Sequence, residues 1–305
     1  MMSAAKNKEQ NYISAVVYVD RADEGDMRFF RTLNQVLAEH FLKYELIAVT
    51  ADEANHNDKK LRDFASEINM PLTLVHMSLK QPHEQCMNAG LDVSIGDYVY
   101  EFDTTDMPYA KEEIWNAYEL AMKGNDIVTV CPSEEKFTSK LFYHIFNRHS
   151  NAEYKLRSDA FRLVSRRAIN RAHAISNNLP YRKATYAASG LKMAEIEFKG
   201  KIKRRKFDKF ELAVDSLALY TDFGYKFSVG LTGIMLLGTL AILIYTFAVY
   251  LMGNPVSGWT TTMLVLTGGM TGMFALIAVM IKFLSLILML SFKKQSYLVE
   301  NVEKL

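Results

Sequence analysis

From Phe227 to Ile281 the chain runs 55 residues without a charged side chain. A bilayer-crossing helix needs ~20 apolar residues, so the run is too long for one span and long enough for two. Gly253-Asn254-Pro255, inside the run, is turn chemistry. The reading is two helices over 228–251 and 259–281, with Trp259 at the far interface and Lys282 snorkelling to the near one. The stretch 283–292 then lies along the near leaflet or extends a tilted helix. A buried hairpin of a soluble protein is the competing reading, and the length of the run argues against it. The connecting loop is uncharged, whereas Lys199, Lys201, Lys203, Arg204, Arg205, Lys206 and Lys209 precede the pair and Lys293 and Lys294 follow it. The bias of basic residues toward the cytoplasm puts both flanks there. Segment 207–220, apolar residues among acids, suits an interfacial helix.

The rest of the chain is different in kind. The 305 residues hold 36 Lys plus Arg and 34 Asp plus Glu, a net charge of +2 that gives no pull toward nucleic acid. Residues 227–305 account for four basic and two acidic side chains, which leaves 32 of each sign in residues 1–226. Two cysteines, Cys86 and Cys131, make neither a disulfide scaffold nor a cysteine zinc site, as expected of a reducing compartment. The polar N-terminus lacks the apolar core of a signal peptide. The expected division is a cytoplasmic domain over 1–198, a basic juxtamembrane segment over 199–226, two membrane helices within 227–292 and a cytoplasmic tail over 293–305.

In the first part, β-rich apolar segments alternate with helical spacing. Strands are expected at 13–19, 45–49, 72–76, 97–102 and 126–130, with helices at 26–42, 57–68, 82–94 and 111–123 between them. Such alternation argues an α/β domain, a mainly parallel sheet with helices on both faces. Ligands of these sheets bind beyond the carboxyl ends of the strands. There the fourth strand runs into Glu101-Phe102-Asp103-Thr104-Thr105-Asp106. On an extended chain Glu101 and Asp103 share a side, and hard oxygens there suit Mg²⁺ or Mn²⁺ carrying a diphosphate. The bland alternative is a solvated turn with Asp106 capping helix 111–123. Asp159 and Arg162 read equally as a phosphate or sugar site and as a structural ion pair. Tyr181, Arg182 and Lys183 follow a proline and read as a loop.

Cys86-Met87-Asn88-Ala89-Gly90-Leu91, Ile95-Gly96-Asp97-Tyr98-Val99, Glu101-Phe102-Asp103 and Asp106-Met107-Pro108 together resemble family 2 glycosyltransferases. Phe137 to Tyr143, Phe161 to Arg167, the two apolar helices and Ser296 to Glu300 are similar to the polyprenyl-phosphate branch of that family. Glu101-Phe102-Asp103 stands where the family has Asp-x-Asp, and Asp52 and Glu53 lie just beyond the place of its nucleotide-holding acids. The resemblance implies a GT-A-like domain that moves a sugar from a nucleotide-diphosphate donor to polyprenyl phosphate, in bacteria undecaprenyl phosphate, at the inner membrane. It implies that Glu101 and Asp103 hold Mg²⁺ or Mn²⁺, and that Asp20, Asp52 and Asn88 join them in binding the donor. Asp106, Asp159 and Arg162 would form the catalytic group, and Lys140, Arg204 and Arg205 would meet the lipid phosphate. A homo-oligomer is the remaining expected partner. The other function class is a non-catalytic membrane adaptor on a glycosyltransferase scaffold.

Overall fold

The computed structural model describes residues 8–20, 22–50, 56–68, 71–78, 81–135, 137–150, 154–175, 181–202, 223–253, 257–291 and 299–304. The chain divides into two compact units: Met1–Leu212 with Phe292–Leu305, and Ala213–Ser291.

The first unit is built on one sheet of eight strands: β1 (Ile13–Val19), β2 (Tyr44–Thr50), β3 (Leu72–Met77), β4 (Tyr98–Phe102), β5 (Ile127–Pro132), β6 (Phe161–Ser165), β7 (Met193–Phe198) and β8 (Val299–Lys304). Their spatial order is β7-β5-β6-β4-β1-β2-β3-β8. The β1/β2, β2/β3, β1/β4 and β5/β7 pairs are parallel, whereas β6 runs antiparallel to both β4 and β5. β1 shows why a mainly parallel sheet needs two covers. Ile13, Ala15, Val17 and Val19 enter one core, and Val16 and Tyr18 enter the other, as the two-residue period requires.

The first core is completed by α1 (Glu24–His40), α2 (His56–Ile68) and α4 (Glu112–Met122). Asp23 caps α1 by accepting from the amides of Gly25 and Asp26, and the Asp26 carboxylate accepts in turn from the Asp23 amide. The second core is completed by α3 (His83–Val93), α6 (Arg166–Ile175) and α7 (Arg182–Ala187). α3 sits close because of Gly90, where an added Cβ would lie 2.5 Å from Val16 and 2.7 Å from Val49. α5 (Phe137–His149) follows β5.

The expected strands and helices up to residue 132 are all present, each within a few residues of its expected ends. Asp106 does not cap the fourth helix: the residue before α4 is Lys111, with no side-chain bond to the helix, and Asp106 is exposed. The segment after Pro180 is a short helix rather than a loop. After the second unit the chain returns, and β8 adds antiparallel to β3 at the edge of the sheet, with Glu303 2.6 Å from Arg62 of α2.

The second unit is a pair of helices, α8 (Phe223–Leu251) and α9 (Trp259–Ser291). Gly230–Leu251 and Trp259–Ile281 are each long and apolar enough to cross a membrane. Only 11% and 6% of their apolar windows are buried, which is not how a core helix of a soluble protein is covered. α9 continues to Ser291, so residues 283–291 extend the helix. The expected interfacial helix over 207–220 lies outside the described residues.

Candidate active site

The register of β4 and β6 places Glu101 directly opposite Arg162. That cross-strand pair is the foundation of a charged cluster at the carboxyl edge of β4. Glu101 Oε2 accepts from Arg162 Nη1 at 3.2 Å and from Arg182 Nη1 at 2.6 Å. Its Oε1 accepts from the Tyr186 hydroxyl at 2.5 Å. Arg182 and Tyr186 are four apart on α7, so one helical face presents both to the same carboxylate. Two residues along from Glu101, Asp103 Oδ1 accepts from Arg182 Nη2 at 2.6 Å and Oδ2 from Arg162 Nη2 at 2.7 Å. Arg182 spends its remaining fork on α3, where Nε donates to Glu84 Oε2 at 2.9 Å.

The cluster continues away from β4. Arg162 Nε donates to Asp159 Oδ2 at 3.0 Å, and Lys183 Nζ donates to Asp159 Oδ1 at 2.6 Å. Lys183 also donates to the Tyr143 hydroxyl of α5 at 3.2 Å and to the Arg157 carbonyl. Below Asp103, His83 Nε2 meets the Asp103 carbonyl oxygen at 3.0 Å, and the His83 ring stands edge-on to Tyr18. Burial raises the carboxyl of Asp103, but Arg162 and Arg182 together outweigh it and hold the group well below the usual carboxylate range. Burial holds the His83 imidazole below its ordinary value against the pull of Asp103 and Glu84.

Four carboxylates (Glu84, Glu101, Asp103 and Asp159) thus face three cations (Arg162, Arg182 and Lys183), leaving one negative charge in surplus. The Glu101 side chain has no solvent exposure, and both its oxygens are taken by protein donors. It thus anchors the two guanidinium groups, and both oxygens of Asp103 are likewise taken by protein donors. Asp103 is 22% exposed, the outermost acid of the set. Among the described residues no three His, Cys, Asp or Glu side chains converge as a metal cage. A single carboxylate fits a cation that keeps waters and takes its other ligands from a diphosphate, the habit of Mg²⁺. One surplus negative charge would suit such an ion, and of the four carboxylates Asp103 reaches solvent most.

Of the other expected residues, Asp159 and Arg162 are brought into the cluster as an ion pair. Asp20 is exposed at the carboxyl end of β1, and Asn88 is buried on α3. Asp106 lines a cavity of about 430 Å³ with Asp23, Asp26, Thr105 and Met107, where the Thr105 hydroxyl donates to Asp26. Lys140 is exposed on α5. Asp52, Arg204 and Arg205 lie outside the described residues. The sequence reading missed Arg182, Lys183, Tyr186 and Glu84 as members of the cluster. The one available signal was an Arg-Lys pair, Arg182-Lys183, directly before an uncharged stretch, Ala184 to Ser189.

No family model matches the chain. It is similar to an uncharacterized glycosyltransferase of Synechocystis, sll0501, at 23% identity over 218 residues, 67% of this chain and 68% of the relative. It is also similar to an uncharacterized glycosyltransferase of Bacillus subtilis, YkcC, at 19% identity over 251 residues, 77% of each chain. Among solved structures, mannosyl-3-phosphoglycerate synthase from Rubrobacter xylanophilus matches with a TM-score of 0.46 and 15% identity, covering 68% of this chain and 73% of that one. Glucosyl-3-phosphoglycerate synthase from Mycobacterium tuberculosis, in complex with Mn²⁺, UDP-glucose and phosphoglyceric acid, matches with a TM-score of 0.49 and 9% identity, covering 68% and 78%. The two sequence relatives indicate a glycosyltransferase.

Proposed function

We propose that the chain moves a hexose from a nucleotide-diphosphate donor to polyprenyl phosphate, in the undecaprenyl class, at the cytoplasmic leaflet of the inner membrane. The observation that carries this reading is the cluster at the carboxyl edge of β4, whose outermost member is the partly exposed Asp103. The glycosyltransferase relatives and the bilayer-length helices α8 and α9 support it. So does β8, because both flanks of the helix pair are joined to one sheet and therefore belong on one side of a bilayer.

The acceptor phosphate is already an anion, so no strong general base is required, and catalysis rests on positioning and fixed charge. Arg162 and Arg182 set the orientation of Asp103, with Glu101 holding both guanidinium groups in place. Asp20, Asp52 and Asn88 are assigned to the nucleotide, and Asp106 to orienting the donor. The Asp159–Arg162 pair lies toward the transferred sugar, and Lys140, Arg204 and Arg205 steer the lipid phosphate. A divalent cation, Mg²⁺ or Mn²⁺, supplies positive charge against the leaving diphosphate when bound. In-line attack inverts the anomeric centre.

The test is a screen of radiolabelled nucleotide sugars against membranes containing the full chain and added polyprenyl phosphate. Label is expected in the lipid fraction from one donor, with loss on chelation and recovery with Mg²⁺ or Mn²⁺. A second reading, a non-catalytic membrane adaptor, is favoured by the two guanidinium groups and the Tyr186 hydroxyl, which between them occupy every oxygen of Glu101 and Asp103. Absence of transfer, together with absence of calorimetric UDP binding in the presence of Mn²⁺, would establish it.

A further inference from the structure

We propose that the outer face of α5 is a docking surface for an anionic lipid headgroup layer. Phe137, Lys140, Leu141, His144 and Arg148 fall at intervals of three and four along this helix, and all are exposed. Phe137 is 80% exposed and Leu141 50%, an unusual way to leave a phenylalanine and a leucine one turn apart on a water-facing helix. The opposite face is fully committed: Tyr143 and Phe146 are buried. The helix contains no acidic residue; Lys140 lies between the two apolar side chains in sequence and Arg148 lies seven residues after Leu141. Large apolar side chains to insert and basic ones to meet phosphates are the pattern of a helix lying in the plane of a bilayer surface.

The lipid is favoured over a protein occupant on two grounds. The charge on this face complements anionic headgroups, and the same chain carries two bilayer-length helices that keep a membrane within reach. α5 also leaves β5 at the sheet edge where the charged cluster lies, and its inner Tyr143 touches Lys183 of that cluster. Docking would therefore bring the candidate active site to the level of a lipid phosphate. The inference rests on the reading that α8 and α9 span a bilayer.

The test uses the full chain in nanodiscs of phosphatidylglycerol and phosphatidylethanolamine, spin-labelled at single introduced cysteines, with both native cysteines buried. Labels at Phe137→Cys and Leu141→Cys are compared with Ile244→Cys on α8, a bilayer control at 63% exposure, and Leu42→Cys, an aqueous control at 60% exposure on the opposite sheet edge. The proposal expects collision with oxygen to dominate over collision with a water-soluble nickel chelate at Phe137→Cys and Leu141→Cys, as at Ile244→Cys. It further expects a shift toward the aqueous ratio in pure phosphatidylcholine or with Lys140→Glu and Arg148→Glu. Aqueous ratios matching Leu42→Cys overturn it. Shielding from both reagents overturns it in favour of a protein partner or a second copy. An aqueous ratio at Ile244→Cys itself overturns the membrane-spanning reading, and this inference with it.

Discussion

Arg182 Nη1 lies 2.6 Å from Glu101 Oε2, and neither side chain is exposed to solvent. Removing one partner of such a pair leaves a buried charge without compensation, which typically costs about 3–5 kcal/mol. Arg182→Ala is expected to lower the unfolding free energy by an amount in that range, read as a lower denaturant midpoint. Arg182→Lys keeps the charge but loses the fork that reaches Glu84, Glu101 and Asp103 together, and should fall between Arg182→Ala and the wild type. A midpoint for Arg182→Ala equal to wild type would show that the cluster does not hold α7 to β4.

The two acids of β4 should part company in nucleotide binding. Asp103→Asn is expected to weaken Mn²⁺-dependent UDP binding by about 1.5–3 kcal/mol, the scale of one charge-assisted contact, and also to lower stability, because Arg162 and Arg182 both donate to this carboxylate. Glu101→Gln is expected to destabilise the fold while leaving the metal dependence of UDP binding in place. Calorimetric titration beside thermal melting of each variant separates the two. Equal loss of metal dependence in both variants would make Glu101 a ligand beside Asp103.

Acid should weaken this protein in two stages. The folded state holds His83 below its ordinary 6.5 and Asp103 well below 3.8, so folding favours the deprotonated form of each. Their contributions are fully present above the unfolded values and disappear as pH falls through the folded ones. Melting temperature should begin to drop below about pH 6.5 and drop again below about pH 4. His83→Gln should remove the first stage only. A melting temperature flat down to pH 4 would contradict the assignment.

Gly90→Ala puts a methyl group into Val16 and Val49, at 2.5 and 2.7 Å. Overpacking of that kind costs about 1–3 kcal/mol, because α3 must lift from β1 and β2. The loss should appear in equilibrium unfolding, and Val16→Ala in the same chain should recover part of it.

The sequence displayed its first nine elements plainly because each carries an unbroken period. Ile13 to Val19 and Glu45 to Val49 are nearly all apolar, and Phe29, Phe30, Leu33, Val36 and Leu37 mark one face of α1. β6 was hidden by Arg162, its second residue, a charge that becomes readable only once Glu101 is seen across the ladder. β7 has Glu195 and Glu197 alternating with its apolar residues, the dress of an edge strand. The acids of the site were legible as a strand-end cluster, but their partners were not. Arg182 and Tyr186 lie some eighty residues from Glu101, and the contact is made by tertiary packing of a six-residue helix with no pattern of its own.

Deleting residues 299–304 uncovers the edge of β3, whose ladder with β8 runs from Thr73↔Lys304 to Met77↔Val299. Amide exchange in Leu72–Met77 is expected to accelerate strongly. Glu303→Ala, which removes only the exposed ion pair to Arg62, should change stability by less than about 1 kcal/mol. Unchanged protection of Leu72–Met77 after the deletion would show that the tail strand does not seal the sheet.

β8 also orders events in time. β3 leaves the ribosome more than two hundred residues before its edge partner, and the whole of α8 and α9 is synthesised between them. On the proposed reading that α8 and α9 span a bilayer, the newborn domain waits with a bare edge until those helices have been delivered to their own solvent, since loop closure of that length cannot be hurried by local contacts. Completion of the sheet would then come last: until Val299–Lys304 pairs with β3, that edge is open to the strand edges of neighbouring copies.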